Sequence, residues 1–305
     1  MSEKTAVLML AYGGPLSIDE VEPYLLDVRH GRPVPPELLK EVQERYRLIG
    51  GNSPLLEITL RQAAALEERL NRGGAEWAVF VGMRHWHPYI HEAVDKIATS
   101  GLRRAVAICM APQFSRMSIG AYMEKTEAAR QEIAPDLQIS FVKSWHLESR
   151  FIDACAENLR LSIEQMGGDD RLVVLFTAHS LPERIMSEGD PYPLQLQQTV
   201  EAVMKKAGPK SWAFAYQSQG RTGEKWLGPD AGDEIRRLRE SGFEKLLIHP
   251  IGFVADHVEI LYDDDILYRD LAEKLGFRYG RVPSCNDSPR FIDSLYYTVR
   301  SHLPQ

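Results

Sequence analysis

The run Gly167-Gly168-Asp169-Asp170-Arg171-Leu172-Val173-Val174-Leu175-Phe176-Thr177-Ala178-His179 decides how this chain is divided. Two glycines and two aspartates end whatever helix precedes them. Residues 171–178 (RLVVLFTA) then form a nearly unbroken apolar, β-branched segment, the pattern of a strand buried on both faces. An imidazole follows where the apolar run stops. The spacing therefore predicts a new parallel sheet beginning here, with His179 at its carboxyl edge.

Outward from this point the same pattern recurs. Toward the N-terminus, 5–11 (TAVLMLA), 77–82 (WAVFVG) and 104–110 (RAVAICM) read as buried strands, with 137–142 a weaker fourth. Stretches 54–70, 117–133 and 147–166 read as helices with polar outer faces. Toward the C-terminus, 212–216, 245–249 and 278–281 read as strands, and 193–207, 230–241, 256–275 and 289–302 as helices. Alternating strand and helix predicts α/β architecture with parallel sheets covered on both faces. The expected domains are 1–168 and 169–286, with a C-terminal helix (287–305) returning to the first. Two open parallel-sheet domains would face each other across a cleft.

The 305 residues suit two domains with ordinary cores. A formal net charge of −7 argues against a general nucleic-acid binder, which needs a basic surface. Cys109, Cys155 and Cys285 are far apart and form no CxxC pair. They read as reduced thiols, neither a disulfide framework nor a cysteine-built zinc or iron–sulfur site. The apolar run near the N-terminus is too short for a signal-peptide core, and no stretch is long enough to span a bilayer. A cytoplasmic protein with no membrane span is expected.

In open parallel sheets, ligands bind beyond the carboxyl ends of the strands. His179 is placed there; neutral imidazole can ligate a transition metal or accept a proton. It can equally hydrogen-bond the turn before Pro182, and the two readings stand level. In segment 252–268 (GFVADHVEILYDDDILY), Asp256, Glu259 and Asp263 would share one face of an α-helix, a row suited to a divalent cation or a proton relay. Asp256-x-x-Glu259 is also a capping-box pattern, which the residues alone favour. Tyr12 precedes Gly13-Gly14, a turn that lets a flat ligand approach closely, but the dinucleotide fingerprint is missing. Arg29, Arg32 and Arg45 supply positive charge suited to carboxylates. His85 and His87 would point apart in an extended segment, so no metal site is assigned there.

These residues carry a resemblance. The chain resembles the ferrochelatases nearly end to end, and most closely the short bacterial coproporphyrin-type members. The resemblance rests on Leu10-Ala11-Tyr12-Gly13-Gly14-Pro15, on Arg45-Tyr46 with Ile49-Gly50-Gly51-Asn52-Ser53-Pro54-Leu55, and on Ala178-His179-Ser180-Leu181-Pro182. Gly189-Asp190-Pro191-Tyr192, Gln217-Ser218-Gln219-Gly220, Trp226-Leu227-Gly228-Pro229, the segment 250–262, Asn286-Asp287 and Phe291-Ile292 continue it.

The resemblance implies two Rossmann-like domains of the class II chelatase type. It implies insertion of ferrous iron into a porphyrin, coproporphyrin III before protoporphyrin IX, as a step of haem synthesis. It also implies His179 and Glu259 at the iron site, with Asp263 behind them, and Tyr12 facing the metal from the other side. Arg29, Arg45, Tyr46, Ser53 and Tyr122 match positions that hold the macrocycle or its propionates. Iron and porphyrin are then substrates, with no permanently bound cofactor and no iron–sulfur cluster. A monomer is expected, in transient contact with the next enzyme of the haem pathway. The charged segment 25–36 suits the substrate with four propionates. One departure is Leu267, where the family's acidic line often continues, so no outer cation site is expected. The competing readings are a sirohydrochlorin-type chelatase, whose relatives favour paired histidine ligands, and a non-catalytic haem or porphyrin carrier.

Overall fold

The computed structural model describes residues 4–72, 74, 76–208, 211–220 and 223–303. The reading of Met1-Ser2-Glu3 and the last two residues of the expected final helix lie outside these. The described residues fall into two compact units. One runs to Trp145 and resumes at Asn286; the other is His146–Cys285.

The first unit begins with β1 (Thr5–Ala11), α1 (Val21–Val28), α2 (Pro36–Leu48), α3 (Leu55–Asn71), β2 (Trp77–Met83), α4 (Ile90–Thr99) and β3 (Arg104–Cys109). A π-helical turn, Arg116–Gly120, runs into α5 (Ala121–Ile133), and β4 is Gln138–Val142. The strands pair in parallel in the order β2-β1-β3-β4. Every residue of β1 is buried, which is why its sequence does not alternate. Leu8 and Leu10 pack with Ile90, Ala93, Val94 and Ile97 of α4, spaced i, i+3, i+4, i+7 as one helical stripe. By contrast α2 buries only Tyr46.

The second unit contains α6 (Ser149–Gln165), β5 (Leu172–His179), α7 (Tyr192–Ala207), β6 (Trp212–Gln217), α8 (Ala231–Glu240) and β7 (Lys245–His249). A ten-residue π-helix, Glu259–Tyr268, runs into α9 (Arg269–Lys274), and β8 is Arg278–Arg281. The parallel order is β6-β5-β7-β8. Val173, Leu175, Leu246 and Ile248 of the sheet meet Ile235 and Leu238 of α8 and Phe277. Helix α6, which the sequence boundary at 168/169 assigns to the first domain, packs on α7 in this unit. The last helix, α10 (Pro289–Ser301), lies in the first unit. There Arg69 Nε reaches Asp293 Oδ1 at 2.7 Å, Arg61 Nε reaches Asp287 Oδ2 at 3.0 Å, and Phe291 meets the Trp145 ring.

In each sheet the strand order reverses beside the first strand. The crevice this leaves at the strands' carboxyl ends is where such sheets bind ligands. No described helix is long and apolar enough to cross a membrane.

Candidate functional site

His179 is the last residue of β5, paired in register with Gln217 at the end of β6. Tyr192 Oη donates to the His179 carbonyl at 3.0 Å, and the Ser180 hydroxyl donates to the Leu227 carbonyl at 2.8 Å. Gly252, on the loop after β7, passes so close that a Cβ there would sit 2.7 Å from Ala178 Cβ. The backbone around the imidazole is therefore held from three sides.

The ring itself is oriented by a hydrogen bond between Nδ1 and the Ser180 carbonyl. A carbonyl only accepts, so Nδ1 carries the proton and Nε2 is the atom left to react. Nε2 lies 3.5 Å from Glu259 Oε1. His257 is arranged likewise: its Nδ1 donates to the Ala255 carbonyl at 3.1 Å, and its Nε2 lies 3.5 Å from Glu259 Oε2. One carboxylate is thus flanked by two imidazoles, each held through Nδ1 by a backbone carbonyl and each presenting Nε2 to it. The three side chains pair with one another; among the described residues no group of three or more such side chains converges on an ion position.

The electrostatics follow from this packing. Burial lowers the affinity of His179 for a proton, but Glu259, the Ser180 carbonyl and Asp263 outweigh it and push the imidazole up to about 8. Burial raises Glu259, and the two histidines more than reverse that, holding it below the ordinary carboxylate range. At neutral pH the resting pair is mostly imidazolium and carboxylate.

The acidic run does not form the single face expected of an α-helix. Residues 256 and 257 precede the helix, whose N-cap is Val258 rather than Asp256. Its carboxylate takes Arg281 at 3.2 Å and the Ser284 hydroxyl at 2.8 Å. Asp265 also binds Arg281, through both oxygens. The wider π turn puts Asp263 and Asp264 one turn beyond Glu259. Asp263 accepts the Ser218 hydroxyl. Asp264 is fully buried and neither carboxylate oxygen has a hydrogen-bond partner. Burial, then the neighbouring Asp263, raise its pKa well above the usual carboxylate range. Leu267 is exposed.

The remaining candidates lie in the first unit. Tyr12 follows β1 and is 41% exposed, with its ring 4.7 Å from that of His85. Gly14 sits against Ser53 and Tyr46: a Cβ there would be 3.2 Å from Ser53 Oγ and 3.6 Å from Tyr46 Oη. Tyr46 and Ser53 are themselves buried, and so is Tyr122, beneath the Arg84 guanidinium. Arg45 is half-buried and paired with Glu41 at 2.7 Å. Arg29 is half-buried at the turn after α1, its Nε donating to the Pro33 carbonyl. His85 and His87 do diverge, to Asp27 and to Glu92.

His257 escaped the sequence reading. It stands between Asp256 and Glu259, the one basic side chain in the segment, two residues before the carboxylate it faces.

A solved structure of CbiX, described as the terminal enzyme of sirohaem biosynthesis in denitrifying bacteria, superposes with a TM-score of 0.58 at 12% identity, over 98% of this chain and all of that one. That likeness speaks to the fold. The "Coproporphyrin III ferrochelatase" of Geobacillus sp. (strain WCH70) is 41% identical over 306 residues, 99% of this chain and 98% of the relative. The "Ferrochelatase" of Deinococcus radiodurans is 41% identical over 95% of this chain and 93% of its own. The sequence model of the Ferrochelatase family matches residues 4–303. With that match across nearly the whole chain, the protein belongs to the ferrochelatase family.

Proposed function

We propose that this chain inserts Fe²⁺ into coproporphyrin III, releasing two protons and forming iron coproporphyrin. The observation that carries the reading is the ring of His179, whose Nδ1 is tied to the Ser180 carbonyl and whose Nε2 faces Glu259 at the carboxyl edge of β5. The name of the Geobacillus relative supports the choice of coproporphyrin III. So does Arg29, in the charged segment after α1, for a substrate with four propionates.

Metal insertion needs a macrocycle bent enough to expose pyrrole nitrogen lone pairs, a route for two N–H protons, and a place where iron sheds water. Propionate contacts at Arg29 and Arg45 supply binding energy that can be spent on bending. His179 must give up its proton before Nε2 can accept one from a pyrrole or bind iron. Incoming Fe²⁺ favours that loss, since it replaces the proton's charge beside Glu259. Glu259 then balances the metal's charge, and His257 offers a second nitrogen to the same carboxylate. Asp263 lies one turn behind as the next acceptor. Tyr12, an exposed aromatic at the equivalent strand end of the first unit, meets the macrocycle.

Anaerobic turnover followed by absorbance tests the proposal, with Fe²⁺ and either coproporphyrin III or protoporphyrin IX. Faster turnover of coproporphyrin III is expected. A preference for protoporphyrin IX would keep the mechanism and overturn the substrate. Absence of turnover with both, alongside tight binding of the metallated product, would favour a carrier.

A further inference from the structure

Behind Tyr12 lies a pair of polar residues that an apolar core would not need. Asp27, on the last turn of α1, accepts a hydrogen bond from Nδ1 of His85 at 2.7 Å, and His85 is 3% exposed. The ends of β1 and β2 are zipped side by side: Arg84 N donates to the Ala11 carbonyl and His85 N to the Tyr12 carbonyl, both at 2.9 Å. The next residue, Gly13, has φ +92°, and a Cβ there would fall 2.9 Å from Trp86 N. The Tyr12 backbone therefore has little room to shift, and its ring is backed by the imidazole.

Burying the His85 imidazole costs desolvation that an aliphatic side chain of similar volume would avoid, and the half-buried Asp27 carboxylate satisfies its Nδ1. Burial pulls His85 down to about 4 despite its partner, so the ring is neutral over the working range and the Nδ1 proton belongs to the Asp27 contact. That suits a fixed orienting role rather than proton transfer.

We propose that Asp27 and His85 are positioning residues that hold the Tyr12 ring in its working orientation at the porphyrin. This rests on the reading that Tyr12 meets the macrocycle. The same turn of chain supplies an internal control. Arg29 lies two residues beyond Asp27 and its amide closes α1 on the Leu25 carbonyl at 2.9 Å. Mere loosening of this helix end would therefore disturb propionate binding as well.

The test is a double-mutant cycle read as kcat and KM for iron insertion into coproporphyrin III. Asp27→Ala is expected to lower kcat roughly tenfold with the porphyrin KM within about twofold, as misplacement of a contact group does. Asp27→Asn keeps an acceptor oxygen for Nδ1 and should recover most of that loss. In a Tyr12→Ala background, Asp27→Ala should cost no more than about a further twofold. Equal losses in the two backgrounds, or a raised KM at unchanged kcat, would overturn the positioning role while leaving the Tyr12 reading intact. If Tyr12→Ala itself turned over at the parental rate, the reading of Tyr12 would fall and take this proposal with it.

Discussion

The two units run their strands in the same order, yet the edges they present differ in chemistry. In each, the first strand ends in the residue proposed to meet substrate: Tyr12 after β1, His179 at the end of β5. In each, the end of the second strand donates to a π-helical segment that follows the third. Arg84 Nη1 reaches the Met117 carbonyl at 3.2 Å in the first unit, and the Ser218 hydroxyl reaches Asp263 in the second. The first edge is aromatic and cationic, with Tyr12, His85, Arg84 and Tyr122. The second carries Glu259 and three consecutive aspartates beside two histidines. The common topology places residues at the strand ends; on the proposed function, the residues that stand there assign protons and metal to one edge and the macrocycle to the other.

The sharpest way to break this contrast is to exchange weight between the two strand ends. His179→Ala should lower kcat by roughly 10²–10⁴, with porphyrin affinity, read by fluorescence quenching, nearly unchanged. Tyr12→Phe should cost far less. Near-parental turnover by His179→Ala would remove the distinction.

A second measurement sharpens the electrostatic side. Glu259 is the main group lifting His179 to about 8 against burial. The base form of His179 therefore accumulates only as pH rises through that value, and kcat/KM should climb with it. Glu259→Gln removes the negative charge. Its lower maximum should come with an acid limb moved to lower pH. A limb that stays in place would mean another group governs it.

Smaller effects test the scaffold. Gly252→Ala forces a methyl against Ala178, beside His179, and should destabilise by about 1–3 kcal/mol in urea unfolding. An unchanged midpoint would show that the loop after β7 can move away from β5.

The smallest expected effect concerns Asp264. Its folded pKa is raised, so the folded state holds a proton that the unfolded chain has released. Stability is then lost as pH rises from the unfolded value through the folded one. Asp264→Asn removes that dependence and should be neutral in acid and stabilising at neutral to alkaline pH, read from urea unfolding. Parallel pH–stability curves for the two proteins would count against a buried, unpartnered carboxyl.

Much of the framework was legible because the signals are local. The runs ending at Ala11 and Ala178 are apolar throughout because their strands sit mid-sheet with both faces covered. The strand ends, and hence Tyr12 and His179, follow directly. Helices α1, α2 and α4 went unread.

Sequence by itself determined the two sheets, the residues at their carboxyl edges and the family, since strand patterning and motif spacing are properties of neighbouring residues. Only the tertiary structure decided how the 252–268 segment is used. A three-residue spacing reads as one α-helical face, but the chain winds as a π-helix, Arg281 draws Asp256 and Asp265 away, and Ser218 claims Asp263. Those partners come from other elements, so no local pattern announces them. The same holds for Asp27 against His85, 58 residues apart. Which of several like side chains becomes reactive is set by what folding brings against it, and long-range contacts leave no period in the sequence.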